Sequence, residues 1–215
     1  MSKARQNILA RLRSAQRPDI SAIEEGSAET HFWDIDERMR RFTDRMTAVR
    51  AEVVETSPET WTEALQAICE KKGARNLLYS AASAFGEVIS QQPPVAHPVT
   101  TDLGSDVWKT TLFHEIDAAL TTTLGGIAET GTLMLWPDAQ EPRMMSLVPP
   151  VHIAILETRT LFNTFAEAVA AMRWQDGMPT NALLISGPSK SADIEQTLAY
   201  GVHGPKELVV LLIRN

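Results

Sequence analysis

The stretch LGGIAETGTLML, residues 124–135, sets a lone acid, Glu129, between a paired glycine and an apolar run, with Thr130 and Thr132 beside it. A carboxylate in that position has the chemistry of a base, a nucleophile or an orienting acceptor, and the two hydroxyls could donate to the same ligand. The alternative is that Glu129 only fixes its own turn by accepting from nearby amides. Two further segments have comparable chemistry. In SGPSKSADIE, residues 186–195, Ser189 and Lys190 precede Ser191, which is read as the cap of a helix over 191–200; that helix start could hold a phosphate or carboxylate. In GVHGPKEL, residues 201–208, His203 lies between small residues in a turn, where an imidazole can exchange a proton near neutral pH or simply hold the backbone. Arg143 in EPRMMSLVPP could grip a carboxylate through two parallel hydrogen bonds. His152 opens an apolar run and reads as a core histidine with a satisfied ring.

These loops need a scaffold that brings them together. Six apolar runs read as strands: 76–80, 116–122, 131–136, 151–157, 181–187 and 208–213. Several are continuous rather than alternating, as expected where both faces of a parallel sheet are covered. Helical patterns at 160–173 and 191–200 separate the later runs, so the expected fold is α/β, a mostly parallel sheet covered by helices. In such sheets ligands sit beyond the carboxyl ends of the strands, and the three loops follow strand ends. Before the sheet, residues 34–55 place Ile35, Met39, Phe42, Met46, Val49 and Val53 on one stripe of a long helix. A second helix is expected from about Ser57, with Pro58 in its first turn and Gly73 beyond its end. The proline-rich stretch 91–99 reads as an irregular loop. The first 17 residues carry Lys3, Arg5, Arg11, Arg13 and Arg17 and no acid, and read as a short basic helix followed by a polar linker to about Thr30. The organisation is therefore residues 1–33, basic helix and linker, and 34–215, the α/β domain.

Composition narrows the function classes. A net charge of -7 argues against general nucleic-acid binding. A single cysteine, Cys69, cannot by itself build a disulfide, a zinc site or an iron-sulfur cluster, and no histidine pair has metal-ligand spacing, so neither a metal nor a cofactor is expected in this chain. No apolar run is long enough to span a bilayer, and the amphipathic start lacks a secretory core, which points to the cytoplasm. Nucleotide-binding and serine-hydrolase signatures are absent.

Read in order, IAETGTLML, ISGPSKSADIE and GVHGPKELVVLL resemble the corresponding segments of the lactate utilisation C-type proteins, the LUD domain family, most specifically over residues 118–213. The resemblance implies a sheet of the CoA-transferase and ribose-phosphate-isomerase type. It also implies participation in an operon-encoded system that oxidises L-lactate to pyruvate with iron-sulfur subunits as partners. Two classes stay open: a non-cluster component of that system, binding partners and an organic anion, and a free-standing transferase- or isomerase-type enzyme using Glu129. Homo-oligomerisation also stays open.

Overall fold

The computed structural model describes residues 3–14, 32–101, 105–192, 198–201 and 203–215. The chain divides into two compact units, Met1–Thr30 and His31–Asn215. In the first, α1 (Lys3–Ser14) is a helix with every residue exposed. The predicted linker, residues 15–31, lies outside the described residues.

The second unit begins with α2 (Ile35–Ala48). Asp34 caps it by accepting from the Glu37 amide at 2.8 Å, and Asp36 and Glu37 favour its positive end. Its buried stripe is Met39, Phe42 and Met46. Truncating the fully enclosed Phe42 to alanine would cost about 3–5 kcal/mol. The predicted continuation of this helix to Glu55 is corrected: Arg50 turns the chain at a φ of 70°, and β1 (Glu52–Thr56) follows as a strand. Next come α3 (Trp61–Lys72), closed by Gly73 in the left-handed region, and β2 (Asn76–Tyr79). α4 (Ala84–Gln91) and β3 (His97–Thr100) take the two ends of the loop expected over 91–99, and residues 92–96 between them are irregular, as expected. β3 tolerates Pro98 because it lies at the sheet edge. α5 (Ser105–His114) leads into β4 (Ala118–Thr122).

After β4 the chain makes a hairpin of β5 (Gly125–Ile127) and β6 (Thr132–Leu135). It returns through β7 (Val151–Glu157), then runs through β8 (Leu161–Phe162), α6 (Phe165–Ala171) and β9 (Leu183–Ile185). β10 (Lys190–Ala192) and β11 (Leu198–Tyr200) pair antiparallel before β12 (Glu207–Ile213). The helix expected over 191–200 is thus corrected to two strands, with residues 193–197 outside the described set, and the anion site at a helix start after Ser191 goes with it.

The main sheet has six strands in the order β1-β12-β7-β4-β2-β3, parallel throughout. The fold is α/β, as expected, but only four of the six predicted strands belong to this sheet. The runs at 131–136 and 181–187 contribute β6 and β9 to a second sheet, ordered β8-β5-β6-β9. One face of the main sheet packs Leu77, Leu120, Ile153 and Leu211 against α3 and α4. On the other face, Ala154, Leu156, Val210 and Leu212 pack against α2 and the second sheet, while Leu78 and Ala119 pack against Leu112 and Met145.

Candidate functional site

Thr121, on β4, points to the second face of the main sheet, since its parallel partner Ala154 belongs to the cluster there. Its hydroxyl lies 2.8 Å from Nε2 of His152 on β7. Both residues are buried, and burial pushes the His152 imidazole down to about 4, so it is neutral at physiological pH. The reading of His152 as a satisfied core residue agrees with this geometry, but the ring also borders a pocket.

The carboxyl end of β4 opens into a cavity of about 150 Å³. Thr121, Thr122 and Thr123 form one side, Trp136 and Pro137 a second, and Glu141, Arg143 and Ser146 a third. Glu141 accepts from the Thr122 amide at 2.9 Å and the Thr122 hydroxyl at 2.8 Å. Burial nevertheless dominates and, helped by the charge of Asp138, raises the Glu141 carboxyl above the ordinary range. A desolvated carboxyl in a cleft is a group suited to proton exchange. Arg143 begins a short turn, Arg143–Ser146, and its guanidinium-bearing side chain is exposed beside the cavity; its carbonyl accepts from the Ser146 hydroxyl at 3.0 Å. Trp136 is braced edge-on against Trp174, with ring centroids 5.4 Å apart.

A second cavity of about 250 Å³ adjoins the first. Ser146 borders both, and the second is closed by His152, Ser186 to Ser189 and His203 to Pro205. Two backbone bonds tie its loops together, Ser189 N to Pro205 O at 2.9 Å and Gly201 N to Ser189 O at 3.1 Å. Of the residues singled out in the sequence, Ser189 and His203 meet in this cavity and Arg143 stands at its neighbour. Thr130 and Thr132 form a hydroxyl chain with Ser186, each step 2.7 Å, and so reach the second cavity indirectly. Glu129 is exposed at the tip of the β5-β6 hairpin, where its amide donates to Asn163 O at 3.0 Å; it lines neither cavity. Lys190 is exposed at the start of β10 and also lines neither. The hairpin follows β4 as expected of a loop after a central strand, but it folds into the second sheet instead of turning across the strand ends.

Glu141 is the residue that sequence reasoning missed. Its signal was its proximity to Arg143 in EPR, between an apolar strand and a proline-rich return. Cys69 is buried on α3, and burial with the charge of Glu70 pushes its thiol up to about 11, which disfavours the thiolate a metal ligand requires. Among the described residues no group of three His, Cys, Asp or Glu side chains is placed to hold a metal, and no helix is long and apolar enough to cross a membrane.

The chain is thus an α/β protein built on a parallel six-stranded sheet, with a cavity at the carboxyl end of β4. The chain belongs to the LUD domain family, whose profile matches residues 39–213. It is 39% identical to an uncharacterized protein of Neisseria meningitidis serogroup B, over 98% of this chain and 93% of that one. It is 29% identical to lactate utilization protein C of Macrococcus caseolyticus, over 83% of this chain and 78% of the relative. Lactate utilization protein C 1 of Bacillus mycoides is 26% identical, over 83% and 80% respectively. The crystal structure of a DUF162 family protein from Deinococcus radiodurans shares the fold, with a TM-score of 0.59 at 22% identity, covering 85% of this chain and 99% of that one.

Proposed function

We propose that this chain is a cytoplasmic component of a lactate-utilisation system, acting with separate iron-sulfur subunits and binding a small organic anion in the cleft at the end of β4. Its similarity to lactate utilization protein C over 83% of its length carries the reading. The cleft supplies the chemistry. Arg143 offers a carboxylate a planar cationic partner, and the hydroxyls of Thr122 and Ser146 border the same space. Glu141 handles a proton there, while Ser189 and His203 contact whatever part of the ligand extends past Ser146.

The partner reading rests on α1, an exposed helix carrying Lys3, Arg5, Arg11 and Arg13 in a chain whose 27 acidic residues all lie beyond residue 17. In this reading α1 docks on an acidic face of an iron-sulfur subunit, and the attraction weakens as salt rises. Pull-down of tagged iron-sulfur subunits by the full chain and by one starting at Asp19 tests it. Equal recovery by both forms would sink the docking role.

Deletion of the gene is expected to abolish growth on L-lactate while sparing growth on pyruvate. Complementation with Arg143→Ala is expected to fail, and the same assay on Glu129→Gln decides whether that exposed carboxylate has a role beyond its turn. Growth of the deletion strain on L-lactate at the parental rate would end the assignment. The free-standing transferase or isomerase reading draws on the desolvated Glu141. It gains ground if the purified chain alone turns over lactate with an artificial electron acceptor, or transfers an acyl group.

A further inference from the structure

We propose that the two adjoining cavities form one ligand cleft, in which the second takes the uncharged, partly apolar body of an organic acid whose carboxylate is held at Arg143. The inference rests on the cleft assignment above and adds the substrate class. Continuity is the first argument. Ser146 borders both cavities, and Thr121 of the first is hydrogen-bonded to His152 of the second, so a shared polar floor runs beneath them. Volume is the second. Ligand sites are typically about 300–1,000 Å³. At about 150 and 250 Å³, each cavity falls short alone and the pair reaches that range.

The lining is the third argument. The second cavity is walled by Leu147, Leu184, Pro188, Pro205 and Leu208, and its described lining includes no carboxylate, lysine or arginine. Its polar side chains are hydroxyls and imidazoles: Ser146, Ser186, Ser189, His152 and His203. Such a surface suits a neutral chain or ring bearing hydrogen-bonding groups, and with no lysine or arginine it offers no permanent counter-charge to a second anion. The walls are also fixed in advance of binding. Ser186 is held by Thr132, and the 189 and 205 loops are tied through their backbones. Gly204 sits so close that a Cβ on it would lie 3.1 Å from the Ser189 Cβ. A cleft with this division of labour selects for acids longer than lactate.

Isothermal titration calorimetry of the full chain with straight-chain 2-hydroxy acids, from lactate to 2-hydroxyoctanoate, tests this. Affinity is expected to rise by about fourfold for each added methylene until the second cavity is filled, the increment of burying one such group. Ser189→Trp, which places an indole in the cavity, is expected to flatten the series, and Arg143→Ala to weaken every member. Circular dichroism of both variants establishes that they fold. Binding of lactate with no gain along the series would overturn the two-part cleft while leaving the anion site at Arg143 intact. Absence of binding by every member would overturn both.

Discussion

Thr122 donates to Glu141 twice, from its amide at 2.9 Å and its hydroxyl at 2.8 Å, both to the same carboxylate oxygen. The carboxyl still sits above its ordinary range, because the water lost on burial outweighs what two donors return. The folded protein therefore holds this proton more tightly than the unfolded chain. Through Glu141, stability falls as pH rises from the ordinary carboxylate range through the raised value. Glu141→Gln keeps an acceptor for Thr122 and is expected to remove that slope in urea unfolding followed across pH. Glu141→Ala leaves the Thr122 donors without their acceptor and is expected to cost about 1–3 kcal/mol.

His152 works with the opposite sign. Its ring is neutral in the folded protein down to about pH 4, whereas the unfolded ring titrates at 6.5. Above that pH, proton binding to this ring has no effect on stability. As pH drops from 6.5 to about 4, the unfolded chain takes up a proton that the folded protein refuses, and about 3 kcal/mol of stability is lost. His152→Gln is expected to flatten the stability profile in that window, measured by denaturant midpoints in the Glu141→Gln background to separate the two slopes.

The hairpin tip gives a steric test. Gly131 has a φ of 62°, and a Cβ on it would lie 2.3 Å from the Arg45 Cβ on α2. Gly131→Ala is expected to destabilise by about 2 kcal/mol or more, through both the left-handed backbone and the contact with α2. Gly177 is the matched control, with an extended backbone at a φ of -174° and no atom within 4 Å of an added Cβ. Gly177→Ala is expected to be neutral or to stabilise by up to about 1 kcal/mol. Similar melting temperatures for the two variants would contradict the close packing of hairpin on helix.

What could be read in the sequence follows from where each segment's environment is encoded. The runs that became β4, β7 and β12 are continuous and apolar because both faces of the central strands are covered, and that pattern is local. β1 was hidden because Val49 and Val53 extend the periodicity of α2, and only the backbone turn at Arg50 separates strand from helix. β3 escaped because a proline within a run usually denies a strand, and an edge position cannot be seen from four residues. The helical pattern read over 191–200 is overridden at Lys190–Ala192 and Leu198–Tyr200, whose antiparallel pairing is a tertiary outcome. The cleft was half legible. Ser189 and His203 meet because their loops flank one cavity, whereas Glu141 is joined to Thr122 at the end of β4, 19 residues earlier, by a contact that no local pattern encodes.

The second sheet has a consequence for local stability. Its β6-β9 pairing joins Leu133 to Ile185, with the whole of β7, β8 and α6 between them in the chain. The β1-β12 pairing of the main sheet, Glu52 to Val209, closes a longer loop still, so separation alone does not set the second sheet apart; β9 does, being three residues long, half-exposed and at the edge of its sheet. β9 supplies Leu184 and Ile185 to the second cavity, so one wall of that cavity belongs to a segment expected to open at low free energy. Native-state hydrogen exchange is expected to show the amides of β6 and β9 exchanging through a sub-global opening, at lower free energy than those of β7 and β12.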